Sequence, residues 1–460
     1  MPQQQQEQQQ QQQESPQPST ALERSQQARQ LWLAATTLEE LDQVETLLKS
    51  ALNATTSSHH ATKNKNKKSN TSNKRQKYAE LSPTEYRQAG ERLSLLYCQS
   101  GRTTQAIKGL EYLGFTCRLA RHVLDYPLPS PSSTTSSDKS PLSKKKHLPK
   151  ADAAAPCMIL DHFLHPHELQ HLQDVFQDPS ASYWTDHSYQ VEPPSPYFSY
   201  VLDLKPKSSS TTSTATGGFI AQLAQQIRQL PQLQAKFPQL AQTRYVELWA
   251  HNRPHASGHQ LHFDSDDEGR GGQIRNPVCS TILYLTSPPE DDDEESSGSS
   301  GGPAGGPSLV TNQRLTSPHL ATKGWLAHPQ ARRLVVFDGG VLHGVIPGKG
   351  VHSGRRVTLM MAFWKHIQIR HEPTQGSARP FPTLHDSNKK SKSQQHEVPP
   401  KQWVLDLMSK EKATKVASKR PSSMKETPPI PLSTVYETLQ GDPWKTQMGM
   451  PEYEQVFQGF

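Results

Sequence analysis

The apolar residues of this chain change their spacing as it proceeds, and each spacing predicts a different element. Between residues 21 and 52, in ALERSQQARQLWLAATTLEELDQVETLLKSAL, Leu31, Leu33, Leu38, Leu41, Val44, Leu47 and Leu48 recur at helical intervals. Residues 82–127 read as two or three short helices, with Ser82, Pro83 and Glu85 forming a helix start and Ser100-Gly101-Arg102 a turn. In CMILDHFLHPHELQHLQDVF (157–176) a short apolar strand turns at His165-Pro166 into an amphipathic helix. PYFSYVLDL is strand-like, and a helix is expected over 218–237. Then the period drops to two in RYVELWAH (244–251), CSTILYLT (279–286), SLVTN (308–312), RLVVFDG (333–339) and RRVTLMMAFW (355–364). Short alternating strands between Gly/Pro turns predict an antiparallel barrel or jelly roll, hence an α+β chain with flanking helices.

Composition limits how much of the chain can pack. Only 32% of the 460 residues are hydrophobic and 38 are proline, so about half is expected to fold compactly. The expected organisation is a glutamine-rich tail (1–20), a helical region (21–126) with a basic linker (53–81), and a Pro/Ser/Lys linker (127–152). A β-rich unit (153–370) carries an acidic insertion (288–306) and is followed by a polar tail (371–460) with a docking segment at 432–460. The net charge of +7 sits in low-complexity runs, which assigns it to solvated tails. Nucleic acid stays open as a partner, without aromatic-basic interleaving to support it. Cys98, Cys117, Cys157 and Cys279 share no metal-type spacing and read as buried reduced thiols. No run reads as a secretory signal or as long enough to span a bilayer, so cytoplasm or nucleus is expected. KNKNKKSNTSNKRQK (63–77) resembles a bipartite nuclear import signal.

The candidate chemistry lies in GHQLHFDSD (258–266). Side chains two apart on extended backbone point the same way, so His262 and Asp264 can chelate one ion. A mononuclear ferrous oxygenase site needs two histidines and one carboxylate on one face, with three positions left open. His343, in VVFDGGVLHGVIPG, is the candidate third ligand from a neighbouring strand. An open iron site needs an oxidisable cosubstrate, and a buried guanidinium can fork its far carboxylate. GRRVTLMM supplies Arg356 with Thr358 on the same strand face; Arg355 points oppositely unless a bulge exchanges the two. His251, His255 and His259 read as solvated loop histidines, Asp266, Asp267 and Glu268 as a solvated turn, and Trp249 and Trp364 as core.

The ordered set ILDHFLHPHELQHL, His262-Phe263-Asp264, CSTILYLT, GGPSLVTN, RRLVVFDGGVLHGV and GRRVTLMMAFW resembles the iron- and 2-oxoglutarate-dependent dioxygenases, in particular their prolyl 4-hydroxylase-like branch. The resemblance covers 157–366. It implies a double-stranded β-helix (jelly-roll, cupin-like) and iron held by His262, Asp264 and His343. It also implies Fe(II) and 2-oxoglutarate as cofactors, with ascorbate as an accessory reductant, O2 as cosubstrate, and a protein side chain as target. Tyr284 lies near the cosubstrate position, and its role is left open. The interval from His262 to His343 is 81 residues (343 − 262), long for this family because of the acidic insertion. Three alternatives remain: an oxygenase acting on nucleic acid, a scaffold recruiting partners through 21–126, and a zinc hydrolase, which would give Arg356 no task.

Overall fold

The computed structural model describes residues 20–63, 81–126, 154–191, 197–204, 218–266, 274–286, 304–371, 377–382, 401–409, 419–441 and 446–459. Residues 1–19, 64–77 and 287–303, which hold the glutamine-rich tail, most of the import-like run and most of the acidic insertion, lie outside the described residues.

The N-terminal helical run divides into α1 (Ala21–Ala34) and α2 (Leu38–Lys63). The helical spacing read from the sequence over 21–52 does not mark this join. The run is interrupted because Thr37 caps the second helix: the Glu40 amide donates to its hydroxyl and the Thr37 amide donates to Glu40 Oε2. Helix α3 (Pro83–Gln99) starts as predicted, with Ser82 and Glu85 bonding each other's amides and Pro83 in the first turn. Helix α4 (Thr103–Tyr112) follows the turn at Gly101, and then β1 (Cys117–Leu119) and the short α5 (Arg121–Leu124). After β2 (Cys157–Asp161) come α6 (Pro166–Phe176), α7 (Ser182–Thr185) and β3 (Tyr200–Asp203). The helix expected over 218–237 becomes α8 (Gly218–Gln229) and α9 (Pro231–Lys236), because Pro231 has no amide with which to continue the first.

The remaining strands are β4 (Tyr245–Pro254), β5 (His259–His262), β6 (Cys279–Tyr284), β7 (Ser308–Arg314), β8 (Gly324–Ala327), β9 (Leu334–Asp338), β10 (Val341–Val345) and β11 (Arg355–Trp364). The C-terminal part adds β12 (Arg379–Pro380), α10 (Gln402–Leu407), β13 (Lys425–Thr427), β14 (Ile430–Leu432), β15 (Tyr436–Thr438) and β16 (Val456–Phe457). More of the tail packs than the docking segment expected at 432–460: Trp403 is fully buried, and β13 and β14 add edge strands.

Two large sheets face each other. The larger runs β12-β3-β4-β11-β6-β9-β2-β13 and the smaller β14-β8-β7-β10-β5, so from β4 to β11 the chain alternates between them, with β7 and β8 adjacent in the smaller. These pairings are antiparallel, with β12-β3 the parallel exception in the larger sheet.

Period-two alternation sorts the larger sheet's side chains into two layers. Leu248, Ala250, Leu283, Leu359, Met361 and Phe363 pack outward against α6 and α8. Trp249, Ile282, Tyr284, Met360, Ala362 and Trp364 pack inward against the smaller sheet's Val310, Trp325 and Val341. The outer face of the smaller sheet (Leu261, Leu309, Leu326, Leu342) is covered by Leu95, Leu119, Val123 and Tyr126 together with Val435 and Phe457. Strand β1 lies between β15 and β16, so the segment after the N-terminal helices and the C-terminal segment are built into one small sheet. Helices α1, α2 and α3 also share an apolar cluster of their own around Ala28, Val44, Leu48 and Leu96. All four cysteines are free and buried. Among the described residues no helix is long and apolar enough to cross a membrane.

Candidate metal centre

Strand pairing brings distant residues together. Strands β5 and β10 are neighbours, with His262 directly opposite His343, and the two imidazole centroids are 4.4 Å apart. Asp264 follows the end of β5, and its Oδ1 stands 3.7 Å from Nε2 of each histidine. One nitrogen from each ring and one carboxylate oxygen all fall within 4.8 Å of one another. Gly344, beside His343, keeps the strands this close: a Cβ there would meet the His259 carbonyl oxygen at 2.7 Å. Gly339 permits a similar approach in the β9–β10 turn, where a Cβ would lie 2.4 Å from the Pro277 carbonyl.

The hydrogen bonds around the three side chains leave one atom of each facing the common point. His262 Nδ1 donates to the Gln260 carbonyl at 2.8 Å and His343 Nδ1 to the Val341 carbonyl at 3.1 Å, which places the lone pair of each ring on Nε2. His343 Nε2 is buried and has no hydrogen-bond partner among the described residues. The Ser280 hydroxyl donates to Asp264 Oδ2 at 2.5 Å, and Asn276 Nδ2 donates to the Asp264 carbonyl at 2.7 Å. Oδ1 is thereby left toward the histidines. Burial pushes the His343 imidazole down to about 4, against the opposing pull of Asp264, so the ring is neutral at physiological pH. A buried acceptor nitrogen without a donor, beside a carboxylate oxygen and a second imidazole nitrogen, fits a divalent cation. His262 is the more open of the two rings, with its side chain 35% exposed against 5% for His343.

The expected cosubstrate residues lie on β11. Arg356 is 3% exposed, with Nη1 buried and unpartnered, and it forms no ion pair with a carboxylate among the described residues. Burial lowers it to about 10, although the nearby Tyr284, Tyr189 and Tyr126 hydroxyls favour the charge. Thr358 is buried two residues along the same face. Arg355 points the other way, with Nε donating to Asn252 Oδ1 at 2.5 Å and Nη2 to the Asn252 carbonyl at 2.8 Å. The strand therefore runs without the bulge that would have exchanged the two arginines. Tyr284, whose role was open, stands opposite Thr358 with its hydroxyl 2.7 Å from Ser308 Oγ.

Several polar residues near the site differ from their sequence reading. His255 is not a solvated loop histidine: its Nδ1 accepts from the Gly305 amide at 2.8 Å and its Nε2 donates to the Lys349 carbonyl at 2.8 Å. His251 lies within β4 and His259 within β5, and burial holds both well below the ordinary imidazole value. His259 stacks on His262 at 4.6 Å and meets His251 at 5.3 Å, so a row of rings leads away from the candidate centre. Asp266 is buried and ion-paired with Arg275 at 2.7 Å; Asp267 and Glu268 lie outside the described residues. Ser280 was missed: it stands beside Thr281 in CSTILY, and nothing in the sequence marks which of the two hydroxyls meets Asp264.

No family model matches this sequence, and no curated protein matches it. Among solved structures it is similar to a Pseudomonas putida prolyl-4-hydroxylase, at 17% identity over 46% of this chain and 95% of that one, with a TM-score of 0.28. It is similar also to the viral collagen prolyl hydroxylase vCPH of Paramecium Bursaria Chlorella virus-1, at 15% identity over 46% and 96%, TM-score 0.25. A third is HygX from Streptomyces hygroscopicus with iron bound, at 11% identity over 49% and 92%, TM-score 0.26. Identities and TM-scores this low carry no inference about the present chain.

Proposed function

We propose that this protein is an Fe(II)- and 2-oxoglutarate-dependent dioxygenase whose catalytic unit spans 153–370. The observation that carries the reading is the convergence of His262, Asp264 and His343, with an unpartnered buried Nε2 on His343. The alternation of β4 to β11 between two facing sheets supports a double-stranded β-helix. In this reading His262 Nε2, Asp264 Oδ1 and His343 Nε2 hold the metal. The backbone carbonyls of Gln260 and Val341 fix the two imidazole tautomers, and Ser280 orients the carboxylate. Arg356 pairs with the far carboxylate of 2-oxoglutarate, and the buried Thr358 adds a hydroxyl beside it. The apolar layer of Trp249, Ile282, Val310 and Phe337 keeps bulk water from the interior.

When bound, iron and 2-oxoglutarate supply the oxidising chemistry: O2 is consumed, succinate and CO2 are released, and one oxygen atom enters the substrate. A protein side chain as target rests on the sequence resemblance to the prolyl 4-hydroxylase-like branch. The test is succinate release from 2-oxoglutarate by the purified chain with Fe(II), O2 and ascorbate, alongside His262→Ala and His343→Ala. Turnover in the wild type and none in the variants is expected. Equal succinate from all three, or tight zinc in place of iron with no turnover, would sink the proposal.

A further inference from the structure

Among the described residues the strand that carries His262 is an edge of the smaller sheet, since β5 ends the order β14-β8-β7-β10-β5. An edge strand has a row of unpaired backbone groups and frays more easily than a central one. Here the two backbone groups of Leu261 are taken by side chains from 446–459. The Leu261 amide donates to Gln458 Oε1 at 3.1 Å, and the Leu261 carbonyl accepts from the Tyr453 hydroxyl. Leu261 itself is fully buried in the cluster that contains Phe457.

The segment that reaches over is itself anchored. Its strand β16 runs parallel to β1, and Phe457 meets Phe115 edge-on at 5.6 Å. The amides of Thr116 and Cys117 donate to the Gln455 carbonyl at 3.0 and 3.2 Å, and Arg87 stacks over Phe115 while donating to the Glu454 carbonyl.

Peptide planarity links this clasp to the candidate centre. The Leu261 N–H and the Gln260 C=O belong to one rigid unit, so whatever holds the first orients the second. That Gln260 carbonyl is the acceptor that fixes the His262 tautomer. The next unit begins at the Leu261 carbonyl held by Tyr453 and leads into the His262 backbone. We propose that Tyr453 and Gln458, 192 and 197 positions from Leu261, are positioning residues for the metal site. They hold the two peptide units that aim the His262 ring at Asp264 and His343. The inference rests on the reading of His262, Asp264 and His343 as metal ligands.

Two measurements on the full-length chain test it: Mn(II) affinity by titration of free ion, and amide exchange at Leu261 and His262 in metal-free protein. Tyr453→Phe and Gln458→Met should each weaken Mn(II) about 10-fold, the usual effect of losing a group that orients a ligand, and speed exchange at both amides. Gln458→Glu keeps an acceptor oxygen and should restore both values. Tyr436→Phe removes a buried, unpartnered hydroxyl from the same small sheet and should leave both near wild type. Faster exchange with unchanged Mn(II) affinity would overturn the positioning role. So would unchanged exchange, or an equal loss of affinity in Tyr436→Phe. Wild-type Mn(II) binding that His262→Ala does not affect would instead reject the metal reading itself, whatever the exchange shows.

Discussion

Replacing Arg356 with methionine should make the ligand-free protein more stable and the cosubstrate site worse. The guanidinium is buried on the inner face of β11 with one nitrogen unpartnered, and it is held at about 10 where the ordinary value is 12.5. That depression corresponds to about 3 kcal/mol spent keeping the charge in place with no counter-ion among the described residues. Methionine keeps much of the stem's volume and removes the charge, so much of that cost is returned. For a body of this size about 3 kcal/mol is an upper bound, and a rise on the order of 5 °C in Tm is expected. The opposite sign is expected for 2-oxoglutarate, because truncating one partner of a buried charge-assisted pair costs about 2–5 kcal/mol. Affinity should fall by about 30-fold or more. Differential scanning calorimetry of the metal-free variant and calorimetric titration of 2-oxoglutarate into Mn(II)-loaded protein read the two quantities separately. A lower Tm, or 2-oxoglutarate affinity within twofold of wild type, would refute the assignment, and more so if Arg355→Met abolished cosubstrate binding.

Other outcomes follow from the same geometry. Ser280→Ala frees Asp264 Oδ2 from its 2.5 Å hydrogen bond and should weaken Mn(II) binding about 10-fold by titration. Gly344→Ala places a methyl 2.7 Å from the His259 carbonyl, so β5 must move from β10; metal affinity should drop further than for Ser280→Ala, and Tm should fall with it. His255 is pushed down to about 4 by burial, so its neutral form contributes stability that is complete above pH 6.5 and is lost as pH falls through about 4. That contribution is about 3 kcal/mol at most, and His255→Asn should flatten the stability–pH curve over that window in urea unfolding.

The sequence showed the strands that alternate strictly, because half-buried sheets impose period two on their side chains. RRVTLMMAFW became β11, and Arg356 with Thr358, rather than Arg355, enters the interior as the alternation required. Legibility failed where a residue's fate depends on a partner distant in the chain. His255 looked like a loop histidine because nothing nearby in sequence announces the Gly305 amide or the Lys349 carbonyl that bind it. Asp266 read as a solvated turn until Arg275, on the far side of residues 267–273, closed over it. Short strands such as β1 and β16 carry too few residues for any period, and their pairing comes from neighbours more than 300 positions away. The breaks at Thr37 and Pro231 were written in the sequence as cap and proline, and helical periodicity on either side hid them.

The pairing of β1 with β15 and β16 also sets a timetable for biosynthesis. A ribosome releases Cys117–Leu119 more than 300 residues before either strand that flanks it exists. Through that interval β1 has neither of its neighbouring strands, while Leu119 and Val123 have only part of their apolar cluster, such as Leu95 and Leu110 from the preceding helices. Such a delayed, non-local closure is slow. Completion of this small sheet should therefore be a late folding event that waits for Phe457 to emerge.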